Sequence, residues 1–174
     1  TDLLDNLVEK GLARQADSEN YDVHDLVREF LLRTIDKQNA TTLHNAACAW
    51  YRSRIDTPEQ KLEYIYHLVN AGDTDTLSKI LDEHGHDLVQ AGHVELLPLI
   101  VDLNASQIDG QSWCNILELR GDIYSLQGRW DEAEKEYEEA LPLVKKSKSK
   151  VMEGRILSSK ADLSVQRGDA ESAL

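Results

Sequence analysis

The chain has 174 residues, of which 41% are hydrophobic and 29% are charged, and its formal net charge is −13. This composition predicts a soluble protein that buries a core, and no apolar run approaches the length of a membrane span. Nucleic-acid binding is disfavoured because phosphate contacts need clustered basic residues, and the sequence has one short basic cluster, at residues 145–150. Cys48 and Cys114 are far apart and belong to no CxxC motif. Reduced thiols and the lack of a recognisable leader predict a cytoplasmic location.

Residues 1–38 predict the C-terminal part of a winged-helix domain. Leucines and Val8 at helical spacing predict an amphipathic helix that ends at Lys10-Gly11. Residues 12–23 alternate around a polar turn at Asp17-Ser18-Glu19-Asn20, which indicates a β-hairpin. A second helix then begins at His24. Helix, short wing and helix, in this order, are how a winged-helix domain ends.

Residues 39–110 predict a helical linker. Leu68-Val69-Asn70-Ala71-Gly72 returns 20 residues later as Leu88-Val89-Gln90-Ala91-Gly92. Each Ala-Gly pair is typical of a helix end, because Gly adopts the left-handed conformation that closes the last turn. We therefore expect two helices that end at these pairs.

Residues 111–174 contain a second internal repeat, with an offset of 40 residues. Its matched positions are Ile116-Leu117, Gly121-Asp122, Gly128 and Ala133, which return as Ile156-Leu157, Ala161-Asp162, Gly168 and Ala173. Such self-similarity is typical of a solenoid of stacked helical hairpins. The predicted fold is therefore all-α apart from a small β-hairpin wing near the N-terminus, with a winged-helix remnant followed by an α-solenoid.

The first copy of this repeat resembles a tetratricopeptide repeat (TPR). The matching residues are Leu117, Gly121, Tyr124, Ala133, Tyr137 and Ala140. The copy departs from the motif at Arg120, where Leu is usual, and its step is longer than the usual 34 residues. The small residues predict a close approach of two helices, and Gly128 predicts the end of the first.

Four segments together resemble the STAND class of signal-transduction ATPases and, within it, the MalT-like regulators. The segments are residues 7–13, 21–30, 49–51 and 66–73. The resemblance implies a nucleotide-binding core, then a winged helix, a helical linker and a superhelix of TPR-like repeats that senses an inducer. It also implies ADP or ATP with magnesium as the cofactor of the parent chain, and self-association of the parent on activation.

Val23-His24-Asp25 is similar to the Met-His-Asp motif of that class, with Val in place of Met. The resemblance implies that His24 faces the β-phosphate of ADP and that His24 and Asp25 sense the nucleotide. A ring N–H suits this role because it can donate to a phosphate. The residues also permit a second interpretation, in which Asp25 favours the positive end of the helix dipole and His24 packs against the wing.

The residues predict no catalytic site. The sequence contains no GxxxxGK[ST] loop and no Ser-His-Asp or Cys-His signature, so we expect the chain itself not to be an enzyme. In a helical solenoid, the groove is lined by the first helix of each repeat. The residues predicted to contact a partner are Asn115, Glu118, Asp122 and Ser125.

The histidines predict no metal site either, because too few ligands lie at the offsets of a structural zinc site. We expect His84-Gly85-His86 to form an exposed helix end broken at Gly85. His44 and His67 have apolar neighbours and are interpreted as ordinary, partly buried residues. Direct DNA binding is disfavoured as well, because the predicted recognition helix carries Asp2, Asp5 and Glu9 against Lys10 alone.

Two functions follow from these observations. The first is the regulatory sensor portion of a STAND-class regulator, in which the winged helix reports the nucleotide state and the repeats bind a small-molecule inducer or a protein. The second is a free-standing TPR-like scaffold that binds a protein segment and has no link to nucleotide. A P-loop upstream of Thr1 would exclude the scaffold.

Overall fold

The computed structural model describes residues 3–15 and 21–168. The chain divides into two compact units, residues 1–42 and 43–174. The first unit therefore extends slightly beyond the predicted winged-helix segment, and the second contains most of the predicted linker together with the repeats. The chain is mostly helical with one small antiparallel hairpin, as the sequence predicts.

The N-terminal unit has the predicted order of helix, hairpin and helix. Its elements are α1 (Leu3–Glu9), β1 (Ala13–Gln15), β2 (Tyr21–Val23), α2 (Asp25–Thr34) and the first residues of α3 (Lys37–Tyr51). In the hairpin, Ala13 pairs with Val23 and Gln15 with Tyr21. The turn predicted at residues 17–20, and Asp2 of the predicted recognition helix, lie outside the described residues.

The second unit is helical throughout its described part. After the rest of α3 it contains α4 (Pro58–Ala71), α5 (Thr74–Gln90), a 3-10 turn (Val94–Leu96) that continues as α6 (Leu97–Ile100), α7 (Gly110–Leu126), α8 (Trp130–Ser147) and α9 (Lys150–Arg167). None of the helices in the described ranges combines the length and the apolar character needed to cross a membrane.

Both predicted Ala-Gly stops end helices. Gly72 follows α4 with φ 76°, and its N–H donates to the carbonyls of Leu68 and Val69. Gly92 has φ 87° and lies just beyond the end of α5. The left-handed conformation is accessible to Gly without the steric penalty that a side chain brings, so these positions terminate the helices.

The prediction of a helix break at Gly85 is wrong. Gly85 is buried inside α5, which runs unbroken from Thr74 to Gln90. A Cβ at this position would lie 2.6 Å from Cδ1 of Leu119, so the glycine makes room for α7. His84 and His86 are consequently half-buried residues in the middle of a helix and not an exposed helix end.

The helical hairpin α7–α8 packs closely through small residues. Ala133 and Ala140 are fully buried, and Tyr137 is 1% exposed. A Cβ on Gly121 would collide with the Tyr137 ring, so only glycine admits this ring against α7. The small residues of the TPR-like pattern therefore have the predicted packing role.

Arg120, which departs from the TPR pattern, is buried and binds backbone carbonyls near the end of α6. Its guanidinium donates to the carbonyls of Ile100 and Leu103, with Nη2 lying 2.6 Å from the Leu103 oxygen. The same group lies 4.9 Å from the centre of the Trp113 ring. Ile100 ends α6 and Leu103 lies just beyond it, and Arg120 gives the carbonyls of both residues a side-chain donor that Leu would not supply.

Candidate functional site

The four predicted contact residues lie on one side of α7, which faces α5 and α9. Glu118 lines one cavity of about 310 Å³, and Ser125 lines a second of about 250 Å³. Asp122 lines both, together with Gln90 of α5 and Ser159 of α9. The two cavities therefore adjoin, and together they form a groove, called here the α5–α7–α9 groove.

Asn115 connects the three helices beside this groove. It is 2% exposed, and its Nδ2 donates to Oδ1 of Asp82 at 2.8 Å. Its Oδ1 lies 2.9 Å from Nε2 of His86 and 3.4 Å from Nη2 of Arg155. Because the amide oxygen is an acceptor, His86 carries its proton on Nε2 in this arrangement. The sequence predicted Asn115 as a contact residue, and the structure places it within a network of the protein's own side chains.

Glu118 is a buried carboxylate paired with an arginine from the next repeat. Its side chain is 2% exposed, and Oε2 accepts a hydrogen bond from Nη2 of Arg155 at 2.7 Å. Nε2 of His86 lies 3.7 Å from the same oxygen. Burial raises the pKa of Glu118 to about 7, and the Arg155 charge opposes this shift. Glu118 therefore changes charge near neutral pH.

Asp122 and Ser125 continue the groove toward the ends of α7 and α9. Asp122 Oδ1 accepts a hydrogen bond of 2.7 Å from the hydroxyl of Tyr137, which raises the Tyr137 pKa further than burial alone does. Ser125 donates to Oε1 of Gln166 at 3.1 Å. Both residues are partly exposed, so their remaining hydrogen-bonding capacity faces the groove.

The groove carries more negative than positive charge. Its lining includes the carboxylates of Glu118, Asp122 and Asp162, with Arg155 as the cation. Burial lowers the pKa of His86, which favours the neutral imidazole. A ligand that brings a positive charge is therefore electrostatically suited to the groove.

His86, Glu118 and Asp122 also bring three ligand atoms within 4.8 Å of one another. In the arrangement described, however, Arg155 already contacts Glu118, and the protonated nitrogen of His86 faces Asn115. A metal needs the unprotonated nitrogen and a carboxylate free of a competing cation. The three side chains are thus better described as members of a salt-bridged network than as a metal site.

The sequence did not indicate that Asp82, His86 and Arg155 belong to the polar network beside the groove. Asp82 and His86 lie on α5, and no spacing rule links them to α7. Arg155, in contrast, follows Asn115 by 40 residues, the offset of the repeat. If the repeat is extended from its apolar to its polar positions, Asn115 and Arg155 occupy equivalent places on α7 and α9, the first helices of the two repeats.

In the N-terminal unit, His24 directly follows β2 and is exposed. Its backbone N–H donates to the carbonyl of Leu12 at 3.3 Å. It lines a cavity of about 360 Å³ with residues of the hairpin, including Arg14 and Asp22, which form an ion pair of 2.8 Å. Asp25 is the first residue of α2, and its side chain lies outside the described part of the structure.

Comparison with known proteins assigns this chain to no family, since no family model, no curated protein and no solved structure matches it.

Proposed function

We propose that the chain is a ligand-recognition part of a regulator, and that the α5–α7–α9 groove binds a protein segment or a small inducer that carries a positive charge. The observation that supports this proposal is the convergence of polar side chains from three helices on two adjoining cavities. Helical-repeat proteins bind their partners on surfaces of this kind. The proposal assigns no reaction to the chain.

The charge of the groove selects the class of ligand. Arg155 places a guanidinium against Glu118, and the proposed ligand brings a group of similar size and charge to this part of the groove. Asp122 and Asp162 extend the negative lining beyond Glu118. A basic segment can therefore contact these two carboxylates and compete with Arg155 for the third.

The test compares a short fluorescent arginine-rich peptide with a glutamate-rich peptide of equal length, by fluorescence anisotropy. The basic peptide should bind, and Asp122→Asn and Asp162→Asn should each weaken it several-fold. Glu139→Gln provides the matched control, because it removes one negative charge from an exposed position of α8 outside the groove lining. Equal losses in all three variants would indicate non-specific charge attraction and would contradict the groove as the binding site.

A second candidate function couples the N-terminal unit to nucleotide, as the STAND resemblance implies. The observation that favours it is the exposed position of His24 in the lining of a hairpin cavity. In this candidate, an upstream domain of the parent chain binds ADP or ATP with magnesium, and His24 contacts the phosphate. The free-standing TPR-like scaffold is the alternative.

Calorimetric titration of ADP distinguishes these alternatives. We expect binding by the native chain extended upstream through a nucleotide-binding domain, and weaker binding in its His24→Ala variant. His93→Ala, which changes a half-buried histidine of the second unit, should leave the affinity unchanged. If the extended chain binds no ADP, the scaffold is the better description. If it binds ADP equally well without His24, this residue has no role in nucleotide sensing.

A further inference from the structure

Two histidines predicted to be ordinary, partly buried residues are in direct contact. His44 of α3 and His67 of α4 are 23 residues apart in sequence, and their Nδ1 atoms lie 2.9 Å apart. Both residues are half-buried, so part of each remains exposed to solvent. In the neutral pair, one Nδ1–H donates to the lone pair of the other Nδ1.

Neighbouring side chains hold this pair in place. Oε2 of Glu63 lies 4.0 Å from Nε2 of His67, on the far side of the ring from His44. The Tyr51 ring stacks on His67 with centroids 5.7 Å apart, and the Tyr66 ring meets it edge-on at 5.2 Å. A carboxylate near the distal nitrogen favours the tautomer with the proton on that nitrogen. The distance of 4.0 Å is longer than the hydrogen bond by which a carboxylate orients many metal-binding histidines, so Glu63 acts on His67 through its charge.

The two nitrogens are separated by a hydrogen-bond distance, and this distance also matches the spacing of two neighbouring ligands in one coordination geometry. With metal–nitrogen bonds of about 2.0–2.1 Å, nitrogens at the observed separation subtend about 90° at the metal, whereas a tetrahedral ion would need them about 3.3 Å apart. Imidazole pairs at right angles suit square-planar or octahedral ions such as Cu²⁺ and Ni²⁺. We propose that His44 and His67 chelate one Cu²⁺ or Ni²⁺ ion through their Nδ1 atoms.

Binding of the ion to the neutral histidine pair moves one proton and needs no further reactant. The proton between the two Nδ1 atoms moves to Nε2 of His44 through solvent, and the two rings turn so that both Nδ1 lone pairs converge on the ion. The pair stays neutral, and water completes the coordination on the exposed side. Burial, and then the nearby His44, lower the pKa of His67, while the charge of Glu63 acts in the opposite direction.

The test titrates the whole chain with Cu²⁺ and follows electron paramagnetic resonance. We expect one equivalent of Cu²⁺ with splitting from two nitrogen ligands, and loss of this signal in both His44→Gln and His67→Gln. His93→Gln is the matched control, because His93 is half-buried and also lies near a carboxylate, with Nδ1 3.8 Å from Oε2 of Glu95. Calorimetry should show tighter binding of Ni²⁺ than of Zn²⁺, which prefers tetrahedral sites.

A spectrum with one nitrogen ligand, or two-nitrogen splitting that persists in both glutamine variants, would overturn the proposal and leave a hydrogen-bonded pair. Glutamine keeps a polar side chain of similar reach, and far-UV circular dichroism checks that the helices remain. If either variant loses its helical signal, the unmodified chain supplies the second measurement. In that case Ni²⁺ should protect His44 and His67 from diethyl pyrocarbonate, as mapped by mass spectrometry, and equal modification with and without Ni²⁺ would contradict chelation.

Discussion

The two faces of α7 show two different ways of holding helices together. Toward α8, the fit depends on volume, because the Tyr137 ring occupies the space left by Gly121. Toward α5 and α9, the contacts are polar and charged, as in the pair of Glu118 with Arg155. The first face is sensitive to the addition of a single carbon atom, and the second is sensitive to pH. This difference suggests that the α8 face supplies stability and that the opposite face is available for recognition.

The largest expected effect comes from filling the space at Gly121. Gly121→Val should lower the free energy of unfolding by about 3 kcal/mol, because the new methyl groups displace the Tyr137 ring from a packed core. Urea unfolding measures the change. Gly154→Ala is the control, because a Cβ there meets open space within α9, and it should stabilise the chain by about 0.5–1 kcal/mol. Equal and small effects in the two variants would contradict tight packing at Gly121.

A smaller effect should follow from removing the hydroxyl that joins the two faces. Tyr137 packs on the α8 side of α7, yet its hydroxyl donates to Asp122 of the groove at 2.7 Å. Tyr137→Phe should lower the free energy of unfolding by about 1.5 kcal/mol, as expected for a hydrogen bond to a charged acceptor. Thermal unfolding measures the loss. Tyr66→Phe, at a residue that is 38% exposed, should change stability much less. No difference between the two variants would show that the Asp122 bond adds nothing.

The apolar face could be predicted from the sequence, and most of the polar face could not. Ala133 and Tyr137 follow a helical period on α8, and Gly121 belongs to the same short TPR-like pattern across the turn at Gly128, so the local sequence indicates a hairpin. The polar network joins Asp82, Asn115 and Arg155 from three helices, and helical periodicity does not relate residues on different helices. The repeat offset is the one signal that connects Asn115 with Arg155.

The histidine pair illustrates the same limit. His44 and His67 each follow the pattern of a partly buried helical residue, and this prediction is confirmed for each taken singly. Their contact depends on how α3 and α4 meet, which the sequence pattern does not specify. The prediction of a helix break at Gly85 was wrong for a related reason. Gly weakens a helix in isolation, but here the absence of a side chain admits Leu119 of the neighbouring helix.

The pH dependence of stability provides the last test of the polar face. Glu118 has its pKa raised from 4.5 to about 7, so the folded state holds this proton more tightly than the unfolded state does. Its contribution to stability is therefore complete below pH 4.5 and is lost as the pH rises to about 7. Gln resembles the protonated form and cannot lose a proton, so Glu118→Gln should keep the stability seen at low pH and remove its loss as the pH rises.

We expect the unfolding free energies of the original chain and Glu118→Gln to be similar near pH 4.5 and to diverge up to about pH 7. The divergence should have the slope of roughly one proton, with the variant becoming the more stable protein. Asp82 and His86 are present in both proteins, so the difference between the two curves isolates Glu118. Parallel curves across this range would show that Glu118 keeps an ordinary pKa and that the groove is wetter than its 2% exposure indicates. Diverging curves would establish a groove that becomes more negatively charged as the pH increases. A cationic ligand should then bind more tightly above pH 7 than below it.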